Sequence, residues 1–332
     1  MTVELIESKE TWDKFVDESP YGLIYHKWDF LKLTEKYTGF SLLPYGVFHG
    51  SILIGLFPLF YRNMGTFRSV FSPPPKSGIP YLGFLMGSEY DSLKQDKKET
   101  YLNQVVDEVS CAIESLAPHY ISISSGPNFL DIRPFIWNGY TVTPHFTYVI
   151  DLNRELEEIW KGFKKNLRKQ LSTCEPLDLR LIQSADPSLL FELLYGRYDE
   201  QGLTVPLHGL DYLTEIIDTF PDSLKVYYLY YEDQPIGGIL THEYKRFILW
   251  MGNTRIMDDI FGNEYINWIL IQKAKNDGYG ILEIQGAGTK NLCQFKSKFN
   301  PNLEICYTIE KKHGLGVLAE WVYRNFIKKR VI

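Results

Sequence analysis

The chain has 332 residues, 45% of them hydrophobic and 23% charged, and a net charge of −6. That is an ordinary globular composition, long enough for about two domains with ample core. The acidity excludes a dedicated nucleic-acid coat, so no DNA partner is expected, while a local basic groove stays open.

Cys111, Cys174, Cys293 and Cys306 are scattered without metal-ligand spacing, which predicts reduced thiols in a cytoplasm and no metal site. No hydrophobic run reaches the ~20 residues of a membrane-spanning helix. The opening "MTVELIESKETW" has no basic-then-apolar signal segment.

In chain order, "VFHGSILIGLFPLFYR" (Val47–Arg62) reads as strand, turn at His49-Gly50, strand. A helix follows, with Leu102, Val105, Val106, Val109, Ile113 and Leu116 at helical spacing. It feeds the strand "YISISSG", a loop and a strand "FTYVIDL" (Phe146–Leu152). The second half repeats the plan. "LYYEDQPIGGILTHEYKR" (Leu229–Arg246) is a hairpin turning at Glu232-Asp233, and the helix with Ile266, Ile269, Leu270 and Ala274 on one face feeds "GILEIQGAG". The last strand is "EICYTIE" (Glu304–Glu310). Tyr101 to Tyr265 is an offset of 164 and Tyr148 to Tyr307 one of 159, so several elements recur in order at nearly constant spacing, the mark of a duplicated unit.

The division read from this is a first domain at 1–150 and a second at 151–313, the latter with a helical insertion at 154–202. A C-terminal helix at 314–332 is expected to pack back on the first domain. The fold class is mixed α/β: two tandem units, each a mixed β-sheet flanked by helices. Neither GxGxxG nor GxxxxGK followed by Ser or Thr occurs, so the nucleotide-binding fingerprints are missing.

Four stretches in this order resemble the GNAT superfamily, and within it the double-GNAT FemABX-like acyltransferases: "IWKGFKKNLRKQL", "PIGGIL", "GNEYINWILIQKAKNDGYGILEIQGAG" and "FKSKFNPN". In the first half "SPPPKSGIPYLG" (Ser72–Gly83) is similar to that family's Ser-Pro and Tyr-Gly-Gly stretch. The resemblance covers nearly the whole chain. It implies two GNAT-like units and transfer of an acyl or aminoacyl group to an amine of a cell-envelope or glycan precursor. The donor would be aminoacyl-tRNA or acyl-CoA, with no tightly bound cofactor, and the acceptor a small molecule or a lipid-linked one. An acyl-CoA-dependent GNAT N-acyltransferase and a non-catalytic GNAT-fold binding protein are the alternatives.

The CoA alternative is weakened by "NTRIMDDIFGNEYINW", where Arg255 and Gly262 lack the pyrophosphate-loop spacing and Asp258 and Asp259 would repel phosphate. Lys296 of the Phe-Lys-x-x-Phe turn matches the family lysine at the donor's acyl end and is the catalytic candidate; the bland alternative is a solvated surface lysine. Phe295 and Lys298 flank it. Arg168, Lys164 and Lys165 are candidates for a tRNA acceptor end or another phosphate, against an outer helix face. Gln285, Asn253 and Tyr265 stand at strand ends and helix starts, where an open sheet exposes its ligand crevice. Trp28 and Tyr81 are candidates for the acceptor groove, and His26 and His242 for bases, against core packing. The tail "GLGVLAEWVYRNFIKKRVI" leaves room for peripheral contact with the inner membrane face.

Overall fold

The computed structural model describes residues 1–127, 129 and 131–322, with side chains through Leu318. The chain divides into unit 1, residues 1–145, 206–208 and 305 onward, and unit 2, residues 146–205 and 209–304.

Unit 1 begins β1 (Thr2–Leu5), α1 (Lys9–Glu18), a 3-10 turn (Ile24–His26) and α2 (Trp28–Thr38). It continues β2 (Ser41–His49), β3 (Ile52–Met64), β4 (Phe67–Ser72), β5 (Leu85–Met86), α3 (Glu89–Ser92), α4 (Gln95–Ser115), β6 (Tyr120–Ser125) and α5 (Arg133–Trp137). β7 (Thr141–Asp151) then leads into unit 2, with α6 (Leu156–Gly162), α7 (Lys165–Cys174), β8 (Leu179–Ser184), α8 (Ser188–Glu200) and α9 (Leu210–Thr219). β9 (Leu224–Tyr231), β10 (Gln234–Glu243), β11 (Phe247–Thr254), α10 (Gly262–Asn276), β12 (Ile281–Ile284) and α11 (Lys290–Lys296) follow. A 3-10 turn (Ser297–Phe299), β13 (Asn302–Lys312) and α12 (Leu315–Val322) end the described chain.

The sheet order in unit 1 is β1-β2-β3-β4-β6-β13, with β5 on β3; in unit 2 it is β8-β9-β10-β11-β12-β7. Neighbours are antiparallel in both except at one step, β4–β6 and β11–β12, which is parallel and bridged by α4 or α10. A parallel step needs such a crossover, so the duplication read from the sequence reappears as the same topology twice. Glu232 and Asp233 both take positive φ, as a two-residue hairpin turn matching the strand twist requires. The periodic residues of α4 that face inward, Leu102, Val105, Val106, Val109 and Ile113, are all buried in the core of unit 1. Leu270, Ile271 and Ala274 of α10 do the same in unit 2, beside Leu229, Leu249 and Leu282.

Two boundaries differ from the sequence division. The strands closing the two units are exchanged: Tyr148–Asp151 of β7 pairs with β12 in unit 2, and Tyr307–Lys312 of β13 pairs with β6 in unit 1. The break therefore lies at 145/146, inside "the first domain's" closing strand as read from sequence, and residues from 305 leave the second. A ladder of backbone hydrogen bonds accepts any strand of the right length and alternation, so sequence pattern marks the strand without choosing its partner. The insertion is also shorter than 154–202. β8 and α8 occupy the places of β1 and α1 in the repeated plan, which leaves α6 and α7 as the addition. The first turn of α12 lies against His119, just before β6, where Gly316 leaves no room for a side chain beside the His119 carbonyl; the rest of the predicted C-terminal helix lies outside the described residues. No helix among the described residues is long and apolar enough to cross a membrane.

Candidate active site

β12 ends at Ile284, and the chain turns through Gln285, Gly286 at φ +87° and Ala287 before Thr289 caps α11 by accepting from the Leu292 amide at 3.3 Å. Glycine is needed at 286 because that backbone conformation strains a side chain. The turn leaves the carbonyls of residues 285–287 facing α11. Lys296, in the last turn of α11, reaches back to them: its Nζ donates to the Gly286 carbonyl at 2.6 Å and to the Gln285 carbonyl. Only 8% of Lys296 is exposed, so the solvated-lysine reading does not hold. Burial pushes its amine down to about 8, against the opposing pull of Cys293 and Glu283.

Cys293, one turn before Lys296, places its Sγ 3.5 Å from the Ala287 carbonyl. Tyr148 is brought alongside Cys293 by the exchanged strand β7, and this neighbour holds its hydroxyl above the ordinary tyrosine range. Behind them Glu283 is fully buried. Thr147 Oγ1 donates to it at 2.8 Å and the Arg246 guanidinium lies 3.3 Å away, itself 2.9 Å from Glu304. The sequence reading did not single out Cys293, Tyr148, Glu283 or Arg246 for the site. The available signal was Glu283 itself, a carboxylate inside the otherwise apolar strand "ILEI", which demands a buried partner.

The turn after α11 gathers several of the predicted residues. Asn300 takes the left-handed conformation (φ +53°) that ends it. Lys298 Nζ lies 3.1 Å from Glu264 and over the Phe295 ring at 5.4 Å. The Lys298 carbonyl accepts from the Lys164 amide at 2.9 Å, so the start of α7 is stitched to this turn. Phe163, Phe295, Phe299 and Trp268 pack ring on ring beside it, and Gly162 lets Asn300 approach. Lys164 and Lys165 project into solvent, and Arg168 donates to the Lys161 carbonyl at 3.4 Å. Lys296, Lys298, Phe295 and the α7 cations thus belong to one neighbourhood.

Most of the other predicted residues make hydrogen bonds or ring contacts within their own unit. The Asn253 amide donates to the Leu193 carbonyl at 3.2 Å, and the Tyr265 hydroxyl to that of Leu179 at 3.4 Å. The Gln285 amide nitrogen is buried with no hydrogen-bond partner among the described residues. Trp28 and Tyr81 belong to unit 1, where Trp28 meets Trp12 edge-on at 6.0 Å and Tyr81 is buried against Tyr25 at 6.3 Å. His26 uses both ring nitrogens, one accepting from the Leu23 amide at 3.2 Å and the other 2.9 Å from the Leu82 carbonyl. His242 is buried against Trp250, and desolvation pushes it down to about 3, too weak a base to serve near neutral pH. Among the described residues no group of His, Cys, Asp or Glu could hold a metal ion.

No family model and no curated protein matches the sequence. Solved structures match along nearly all of it. FemX shares 11% identity, with 98% of this chain and 100% of that one covered and a TM-score of 0.70. L-PGS from Bacillus licheniformis shares 14% identity, with 96% and 97% covered and a TM-score of 0.57. A tandem GNAT protein from the clavulanic acid biosynthesis pathway shares 10%, with 94% and 99% covered and a TM-score of 0.52. At such identities the likeness establishes the fold: two tandem GNAT-like units of mixed α/β structure.

Proposed function

We propose that the protein is an N-acyl transferase of the FemABX-like kind, moving an aminoacyl group from an aminoacyl-tRNA ester to an amine of a cell-envelope or glycan precursor. The observation that carries this is Lys296, a buried amine clamped by two carbonyls at the end of a sheet strand. Fold alone does not fix function, so the chemistry must follow from the site. Attack of an amine on an ester passes through a tetrahedral oxyanion, which a pre-placed donor stabilises strongly where water is excluded. With a pKa of about 8, Lys296 is about nine-tenths ammonium near pH 7. Two of its three N–H groups are committed to the loop, which holds the third in place. The unpartnered Gln285 amide is a second donor in the same turn. Lys164, Lys165 and Arg168 on α7 suit the phosphates of a tRNA acceptor end.

A CoA donor is disfavoured by the first turn of α10. A pyrophosphate would seek the helix N-terminus there, but the buried Glu264 carboxylate already occupies that turn and pairs with Lys298. The likeness to the C-terminal domain of a putative lysylphosphatidylglycerol synthetase from Agrobacterium fabrum makes a lipid-linked acceptor a reasonable second substrate class to assay. Transfer assays with aminoacyl-tRNA and acyl-CoA donors test the reading. Transfer from the ester donor, lost in Lys296→Ala, supports it; unimpaired transfer by that variant removes Lys296 from the chemistry. Thermal stabilisation by millimolar CoA would favour the CoA alternative.

A further inference from the structure

Unit 1 contains a cavity of about 290 Å³ between α4 and the segment leading into α5. Its volume is at the lower edge of the ~300–1,000 Å³ usual for small-molecule sites, which suits a compact ligand and not a nucleotide. Met86 and Leu102 are buried at its base, with the Phe84 and Phe129 rings meeting at 4.7 Å beside them. Four charged side chains line the rest, two of them paired. Arg133 and Asp131 neutralise each other at 2.9 Å, and Glu99 adds to that pair at 2.8 Å. Among the described residues Asp91 and Lys98 have no such partner. Asp91 accepts from the Tyr21 hydroxyl, and Lys98 lies 5.7 Å over the Tyr90 ring; among the described residues no cation pairs with Asp91 and no carboxylate with Lys98.

Among the described residues the cavity therefore offers one unneutralised carboxylate, one unneutralised ammonium and an apolar lining. We propose that it binds a free α-amino acid with an apolar side chain, the ammonium on Asp91, the carboxylate on Lys98 and the side chain between Phe84, Phe129 and Leu102. A residue within a peptide carries neither charge and a terminal residue only one, so the free zwitterion is the complementary ligand. In unit 2, α10, the counterpart of α4, packs instead against the added helices, with Phe163 edge-on to Trp268 at 5.3 Å. This site is separate from the reaction proposed for unit 2 and stands or falls without it.

Isothermal titration calorimetry of the full chain with L-phenylalanine and L-leucine tests the proposal, with phenethylamine and 3-phenylpropionate as analogues that each lack one charge. The expected result is saturable one-site binding of the amino acids. Each analogue, and each of the variants Asp91→Asn and Lys98→Met, should bind about tenfold or more weakly, the loss of one charge-assisted hydrogen bond. Leu102→Trp should fill the cavity and abolish binding. Circular dichroism melts of the variants establish that they fold; Asp91 is exposed and Lys98 half-buried, so these two decide if the tryptophan variant does not. Absence of saturable binding at millimolar amino acid, or equal binding by the two charge variants and the wild type, would overturn it.

Discussion

Replacing Lys296 by methionine keeps the length of the side chain and removes its charge, and the consequence for stability depends on pH in a calculable way. In the unfolded chain the lysine titrates at its ordinary 10.5, whereas in the folded protein burial lowers it to about 8. Below the lower value both states are protonated and folding bears the full cost of burying the ammonium. Between the two values the unfolded chain binds more protons than the folded one, so this group makes the wild type more stable as pH rises. The whole gap is worth about 3 kcal/mol, and the part accessible by pH 9.5 about 2 kcal/mol. The variant has no such dependence, but it leaves the Gln285 and Gly286 carbonyls without their donor, a loss of about 1–3 kcal/mol each that does not vary with pH. The decisive quantity is therefore the difference in unfolding free energy between wild type and Lys296→Met, measured by denaturant titration from pH 7 to 9.5. Subtraction cancels the other titrating groups. A difference that grows in favour of the wild type by about 2 kcal/mol is expected. A flat difference would mean that the amine is not buried as described, and the reasoning from its depressed pKa would fail with it.

Activity should show the same group from the other side: a reaction that needs the Lys296 ammonium declines as pH rises through about 8, and this limb should be visible in the pH profile of kcat. Gly286→Ala forces a side chain into φ +87° with its Cβ 3.5 Å from Lys296 Nζ; a stability loss of about 1 kcal/mol with a disproportionate fall in transfer rate is expected from denaturation and steady-state assays. Removing one side of the buried ion pair, in Arg246→Met, strands Glu283 without its guanidinium and should cost about 3–5 kcal/mol by chemical denaturation; a change below 1 kcal/mol would show that water reaches the pair. Lys164→Ala with Lys165→Ala should raise KM for a tRNA donor, more at low salt than at high, and leave kcat within about twofold.

The sequence carried the repetition of elements, because helical and strand periodicity survive divergence: each apolar position is held by its own buried face, as in α4 and α10. It also carried the loop around Lys296, where Gly286, Asn300 and the flanking phenylalanines are each required by local backbone or packing geometry. Tertiary structure alone decided which strand closes each unit, since the alternation in "FTYVIDL" and "EICYTIE" fits either edge equally well and only long-range pairing distinguishes them. That choice sets the chemistry of the site: β7 brings Tyr148 to Cys293 and Thr147 to Glu283, contacts that span more than a hundred residues and leave no local trace. It was likewise packing that turned Lys296 from a lysine between two phenylalanines into a buried donor, because burial is a property of what the rest of the chain puts around a residue and not of the residue itself.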